Sequence, residues 1–263
     1  MPVESRKGIK LRDKGVRQIP LFGDEEDLDV LEPAPVAATS VARPLDLSGG
    51  DLPGPERLFA EKEEPCRENA WAGINDLKTL RSKVLLCNAC PLRAGAKNVV
   101  FGEGNPHARV MFIGEAPGQS EDDLGRPFVG RAGKLLDAVL EEVGLSRQEV
   151  FIANIAKCRP PQNRLPEPLE VSACLPHLKA QMRIISPKFV VLLGALSSQT
   201  LVDPSLRVTR DRGKWFEKDG IHYLVTFHPA AVLRDELGKR KLVVSDMKSL
   251  KARLDQLCQE RGL

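Results

Sequence analysis

Cys87, Cys90, Cys158 and Cys174 set the first chemical constraint: they read C-x2-C, then single cysteines after gaps of 67 and 15 residues. A C-x2-C puts two thiolates on one turn, where a metal or cluster is gripped twice, and a proline directly after the second, here Pro91, is a common ending of iron-sulfur sites. Spacing does not separate zinc from iron, because both accept four thiolates. Four buried free cysteines are the plainer alternative. Cys66 and Cys258 fall in a tail and a terminal helix, where no role is expected.

A second constellation runs from Gly114 to Gly133, GEAPGQSEDDLGRPFVGRAG, directly after the apolar run Val110-Met111-Phe112-Ile113. Glycine frees the backbone and proline removes a donor, so a strand ending in Gly-Glu-Ala-Pro-Gly must turn there. That turn carries Glu115, Glu121, Asp122, Arg126 and Phe128, which puts carboxylates, a guanidinium and a ring at a strand end, a favoured place for binding and catalysis. Asn154 stands four residues before Cys158. Its amide has donors and an acceptor and can read a base edge that alternates them, or it can simply cap a strand. His228, in Thr-Phe-His-Pro-Ala-Ala-Val-Leu-Arg, follows a buried run and is open to a structural or a catalytic reading.

The elements that must position these residues follow from periodicity. Apolar runs at 109–113, 150–153, 189–193 and 221–227 alternate with helical patterns at 132–143, 167–185, 196–202 and about 241–260. Strand and helix in alternation predict an α/β domain, three layers deep, around a four-stranded and mostly parallel sheet. The runs lead into Gly114-Glu115, Asn154, Gly194-Ala195 and His228-Pro229, so a parallel sheet would bring distant polar residues to one crevice. A helix over 71–86, with Asn75-Asp76 as caps, leads to Cys87 and opens the domain of residues 71–263.

Residues 1–70 lack sustained periodicity and hold Pro/Gly clusters among many acids, the composition of a disordered extension. The formal charge of +3 hides an asymmetry: residues 1–72 carry 10 Lys/Arg against 15 Asp/Glu, a balance of −5, and residues 73–263 carry 29 against 21, a balance of +8. A basic domain suits a polyanionic partner. No run is long enough for a membrane span and the start lacks the apolar stretch of a signal peptide, so a monomeric, cytoplasmic protein is expected. One island in the tail, Gln18-Ile19-Pro20-Leu21-Phe22, resembles the peptide by which bacterial replication and repair proteins dock on the sliding clamp. Leu21 and Phe22 would be its anchors and Gln18 its polar specifier.

Taken together, Gly-Glu-Ala-Pro-Gly with Glu121-Asp122, Gly125–Gly133, Lys157-Cys-Arg-Pro-Pro-Gln-Asn-Arg164, His228-Pro-Ala-Ala231 and the four cysteines resemble the iron-sulfur uracil-DNA glycosylases, family 4. The resemblance covers about residues 74–260 and implies a bacterial DNA-repair enzyme that flips uracil out of DNA and hydrolyses its bond to the sugar. It implies a [4Fe-4S] cluster on Cys87, Cys90, Cys158 and Cys174, and uracil-containing DNA as partner. Phe128 would stack on uracil, Asn154 would read its edge, and Glu121 would fill the space that thymine's methyl group needs. His228 would donate to uracil O2 as the base leaves with negative charge. Where some related families carry an aspartate, this chain has Ala116 beside the base. Glu115 is then the nearest group to orient the attacking water, or else a structural carboxylate held by amides. The loop 207–215 offers Arg210, Arg212 and Lys214 to phosphates, or to solvent. Val232, Leu233 and Arg234 would form a wedge into the space the base vacates. The amides near Ala195 are a further phosphate seat. A non-catalytic cluster-bearing DNA binder and a metal-stabilised redox module are the rival readings.

Overall fold

Residue-by-residue alternation decides the architecture. The structure, a computed structural model, describes residues 16–19 and 71–259. Its strands are β1 (Arg17–Ile19), β2 (Glu103–Gly104), β3 (Val110–Gly114), β4 (Phe151–Asn154), β5 (Phe189–Leu193), β6 (Trp215–Lys218) and β7 (Ile221–Thr226). Its helices are α1 (Leu77–Val84), α2 (Leu92–Gly95), α3 (Gln119–Leu124), α4 (Arg131–Glu142), α5 (Pro168–Ile185), α6 (Ala195–Leu201), α7 (Val208–Asp211), α8 (Pro229–Val232) and α9 (Glu236–Gln259).

In the central strands, successive side chains go to opposite faces. Met111, Ile113, Ala153, Val190, Leu192 and Val225 pack on one side with Leu80 and Val84 of α1 and Leu178, Met182 and Ile185 of α5. Val110, Phe112, Ile152, Val191, Leu193 and Leu224 pack on the other with Leu136 and Leu140 of α4 and Met247 and Leu250 of α9. A strand apolar on both faces needs cover on both, which gives three layers. Each such side chain contributes on the order of 2 kcal/mol when fully buried. The described helices are none of them long and apolar enough to cross a membrane.

The sheet has seven strands in the order β1-β6-β7-β5-β3-β4-β2, not the four expected. The four expected strands are its parallel centre, β7-β5-β3-β4. The three others are antiparallel edges: β2 on β4, β6 on β7 and β1 on β6. They are two to four residues long, too short for a two-residue period to register, and Trp215 sits at the end of a cationic loop that masks the start of β6. β1 lies inside the stretch expected to be disordered. Its pairing uses main-chain groups, which composition does not reveal. The rest of that stretch lies outside the described residues, as do Leu21 and Phe22 of the clamp-like peptide; Gln18 pairs with Phe216 in β1.

Candidate active site

All four parallel strands end at one edge. The chain passes from β3 to β4, then crosses back to β5 on the far side of β3, so the connections leaving β3 and β5 diverge and open a crevice between them. Glu115, the first residue after β3, spans that crevice, and Leu196 N at the start of α6 donates to its Oε1 over 3.4 Å. Those amides are therefore engaged by a side chain of the protein, which corrects their reading as a phosphate seat. Gly194 makes the contact feasible. Its φ is +102°, and a Cβ there would stand 2.6 Å from Glu115 Oε1 and 3.2 Å from the His228 Cβ. Burial raises the Glu115 pKa, against the lowering pull of the Leu196 and Ala195 amides and of Arg234.

Asn154 closes β4 and is 1% exposed. Its Oδ1 is buried without a hydrogen-bond partner, an expensive state for an amide oxygen unless something else completes it. Gly114 lies opposite Asn154 in the β3–β4 register, and a Cβ on it would stand 2.5 Å from Asn154 Oδ1 and 2.6 Å from Phe128 Cζ. The glycine thus makes the space in which an amide and an aromatic ring face a common cleft.

Phe128 takes φ +51°, a left-handed conformation costing on the order of 1 kcal/mol for a residue with a side chain. Two charged side chains hold it there. Glu121 Oε1 accepts from Val129 N at 2.9 Å and Gly130 N at 2.8 Å, while its Oε2 accepts from Gly118 N at 3.1 Å. From behind, Arg147 donates to the carbonyls of Phe128 (3.0 Å) and Pro127 and to Asp137 Oδ1 (2.9 Å). Glu103 steadies that guanidinium through its Nε at 3.0 Å. Glu121 is therefore a fixed wall of the cleft, tied by three amides. Sequence reasoning did not single out Arg147, since an arginine 19 residues from the ring it supports carries no local signal.

His228 caps α8: its Nδ1 accepts from Ala230 N at 3.1 Å. An accepting Nδ1 leaves the proton of the neutral ring on Nε2, which makes that atom the donor. Its ring centroid lies 5.7 Å from that of Phe128, the planes inclined by 35°. Burial pushes the His228 pKa down to about 4, assisted by the Arg234 charge and opposed by Glu121. His228 lines the cleft and is half-buried by exposed surface, while protein surrounds most of it. The surrounding protein governs hydration of the charge, and the imidazole is neutral at physiological pH.

Glu115, Ala116, Glu121, Phe128, Asn154 and His228 together line one cleft of ≈ 680 Å³, joined at its rim by Arg164, Leu165, Thr209 and Arg234. One expected contact, Val232, is corrected. Val232 is 1% exposed, a core residue packed with the α4–α9 face, so it is no wedge; Leu233 is half-buried and Arg234 alone of the three is exposed. Arg210 and Lys214 both pair with Asp211 of their own segment, at 2.8 and 3.0 Å, and Arg212 pairs with buried Asp246 of α9, so Arg212 is the one of the three that ties this loop to a distant element. Asp246 in turn accepts from Thr226 Oγ1 at 2.6 Å, two residues before His228. Leu165 is a rim residue that sequence reasoning passed over; it is 60% exposed, and Arg164 fixes its carbonyl at 2.9 Å while forking onto Glu170 at 2.7 and 2.8 Å.

Cys87, Cys90, Cys158 and Cys174 line a second, small pocket with Val84, Leu92, Val99 and Lys157. Main-chain amides point at two sulfurs, Lys157 N at Cys174 Sγ (3.2 Å) and Ala89 N at Cys87 Sγ (3.5 Å), and His177 Nε2 lies 3.2 Å from Cys87 Sγ. Burial raises Cys158 to about 12 and Cys174 to about 11. As bare thiols they would stay protonated. Among the described residues no three His, Cys, Asp or Glu side chains converge closely enough for a single ion. Cys258 stands apart, its Sγ 3.0 Å from Arg109 Nη1.

Comparison with known proteins agrees with this geometry. The family model for the uracil DNA glycosylase superfamily matches residues 101–250. The type-4 uracil-DNA glycosylase of Thermotoga maritima is 43% identical over 181 residues, which cover 67% of this chain and 93% of that protein. The type-4 enzyme of Archaeoglobus fulgidus is 37% identical over 197 residues, covering 72% of this chain and 96% of the relative. A match spanning nearly the whole of such relatives, on a chain whose strand ends build one cleft lined by an amide, a ring and an imidazole, has one reading: the chain belongs to the uracil-DNA glycosylase superfamily, in its type-4 group.

Proposed function

We propose that this protein excises uracil from DNA as a monofunctional glycosylase, releasing the free base and leaving an abasic site. The observation that carries the reading is the unpartnered Oδ1 of Asn154 at 1% exposure, in a cleft shared with Phe128 and His228. An unmet amide acceptor beside a donor amide matches the N3–H and O4 edge of uracil. Phe128 supplies a face for the flipped base to stack on, and the fixed carboxylate of Glu121 excludes a 5-methyl group.

Chemistry then follows from where charge develops. As the glycosidic bond breaks, its electron pair leaves with the base and C1′ becomes cationic. His228 Nε2–H donates to uracil O2 as negative charge gathers there, a contribution on the order of 3 kcal/mol for a preorganised donor. Water adds its oxygen to C1′ and loses a proton toward Glu115, so the sugar ends with a hydroxyl and the base is later protonated by solvent. Ala116 leaves room beside the base where a carboxylate would otherwise stand.

The four-cysteine pocket suits a [4Fe-4S] cluster on Cys87, Cys90, Cys158 and Cys174: four cysteines from distant segments line one space, and amides aimed at two of the sulfurs favour thiolates. When bound, such a cluster supplies a rigid cross-link between the segments before α2, after β4 and in α5. For DNA, Arg234 at the rim is the cation we assign to phosphate, with exposed Leu165 as an apolar contact at the same rim and Leu233, beside Arg234, as a second. Gln18, Leu21 and Phe22 are proposed as a sliding-clamp peptide.

The test is incubation with a uracil-containing oligonucleotide followed by alkali. Strand cleavage at uracil is expected, with Asn154→Ala reduced by about 100-fold, the scale of losing paired hydrogen bonds to a base edge. Binding without cleavage would favour a cluster-bearing DNA-binding protein and overturn the reading.

A further inference from the structure

Lys157 buries its whole side chain behind the proposed base reader. The ammonium donates to the Asn154 carbonyl at 2.9 Å and to Gln181 Oε1 at 2.6 Å. Gln181 extends the chain of bonds through its Nε2 to the Phe101 carbonyl at 2.8 Å. Both Lys157 and Gln181 are shut off from solvent, at 1% and 0% exposure, and no carboxylate pairs with the lysine among the described residues. Lys157 also lines the four-cysteine pocket, where the attraction of Cys174 offsets part of the cost of burying its charge, so the groups its ammonium donates to are what show which backbone it holds in place.

What the lysine holds is informative. Beyond β4 the main chain still pairs with the β3 side, Ile155 N to Gly114 O and Ala156 N to Glu115 O, both at 3.0 Å. Lys157 then turns back so that its own side chain clamps the peptide three residues earlier, while its main-chain N meets Cys174 Sγ. The Asn154 carboxamide has an Oδ1 with no internal bond to fix it. Its plane is set by the backbone it hangs from and by the tight contacts around Gly114 and Phe128. An amide free to turn over would present its donor where its acceptor belongs, and would then suit cytosine as well as uracil.

We propose that Lys157, braced by Gln181, is a positioning residue that holds the Asn154 peptide so that its carboxamide meets a pyrimidine edge in one orientation and prefers uracil over cytosine. The proposal rests on the base-reading role given to Asn154. Its test uses free uracil and free cytosine as competing ligands of the full-length protein in four forms: wild type, Asn154→Ala, Lys157→Met and the double variant. Lys157→Met is expected to weaken uracil by about tenfold while leaving cytosine unweakened, and to add little to Asn154→Ala in the double variant, the behaviour of two groups acting as one. Equal weakening of both bases, or losses that multiply in the double variant, would overturn it. If Asn154→Ala leaves uracil binding intact, the base-reading role fails first and takes this inference with it. Should Lys157→Met not fold, Gln181→Leu removes the brace alone; a uracil-over-cytosine ratio narrowed by about threefold is then expected, and an unchanged ratio overturns the inference.

Discussion

At the scale of the residue, two titrating groups face the same cleft and shift in opposite directions. His228 falls from 6.5 to about 4, and Glu115 rises above 4.5, each because burial disfavours its charged form. For His228, the unfolded chain binds more protons between pH 4 and 6.5, so stability is present above pH 6.5 and is lost as pH falls through that window, by at most about 3 kcal/mol. For Glu115 the sign reverses: the folded state binds the extra proton, and stability falls as pH rises through its raised pKa. The carboxylate therefore works at a cost to the fold. Glu115→Gln is expected to slow single-turnover excision by about 100-fold, to remove the acid limb of the pH–rate profile, and to raise the melting temperature at pH 7. Full excision by the variant would return Glu115 to a structural role. With His228 neutral down to about pH 4, that acid limb belongs to Glu115 and not to the imidazole.

At the scale of the element, the loop between α3 and α4 is where the site is most dependent on remote support. Phe128 sits in a left-handed conformation because Glu121 gathers three amides in front and Arg147 gathers two carbonyls behind. Arg147→Met leaves the ring in place but loosens its frame, and is expected to weaken free uracil by about tenfold with a melting point lowered by about 2–4 °C per kcal/mol lost; unchanged uracil affinity would show that the ring needs no such brace. The reach of sequence reasoning can be read from the same loop. Phe128, Glu121 and Glu115 were legible because they follow a strand in one segment, and Asn154 and His228 because they end strands of their own. Arg147 and Gln181 were not, since each acts through a carbonyl far away in sequence, and a main-chain acceptor has no letter. Edge strands β1, β2 and β6 escaped for a related reason: they are held by backbone pairing over a few residues, with little hydrophobic pattern to announce them.

At the scale of the whole molecule, the excess of basic residues in the domain divides into cations that build and cations that are available. Arg210, Arg212 and Lys214 are committed to Asp211 and Asp246, whereas Arg234 is exposed at the rim of the cleft without an ion pair among the described residues. The two kinds separate in one salt titration. Arg234→Ala is expected to lower the salt dependence of DNA binding by about one counterion with little change in melting temperature. Arg212→Ala strands the buried carboxylate of Asp246 and is expected to lower melting temperature with little change in that slope. The opposite pattern would move the DNA track to the α7 loop.

One consequence of Gly114 concerns inheritance. A β-carbon at that position would stand within 2.6 Å of both the Asn154 amide oxygen and the Phe128 ring, and every missense change to a glycine codon installs a β-carbon. The position between the amide and the ring therefore has no neighbouring allele through which it can drift gradually. A lineage that altered it would have to move the amide and the ring in the same step, and until then the gap of one missing carbon fixes how far apart the two halves of the site are kept.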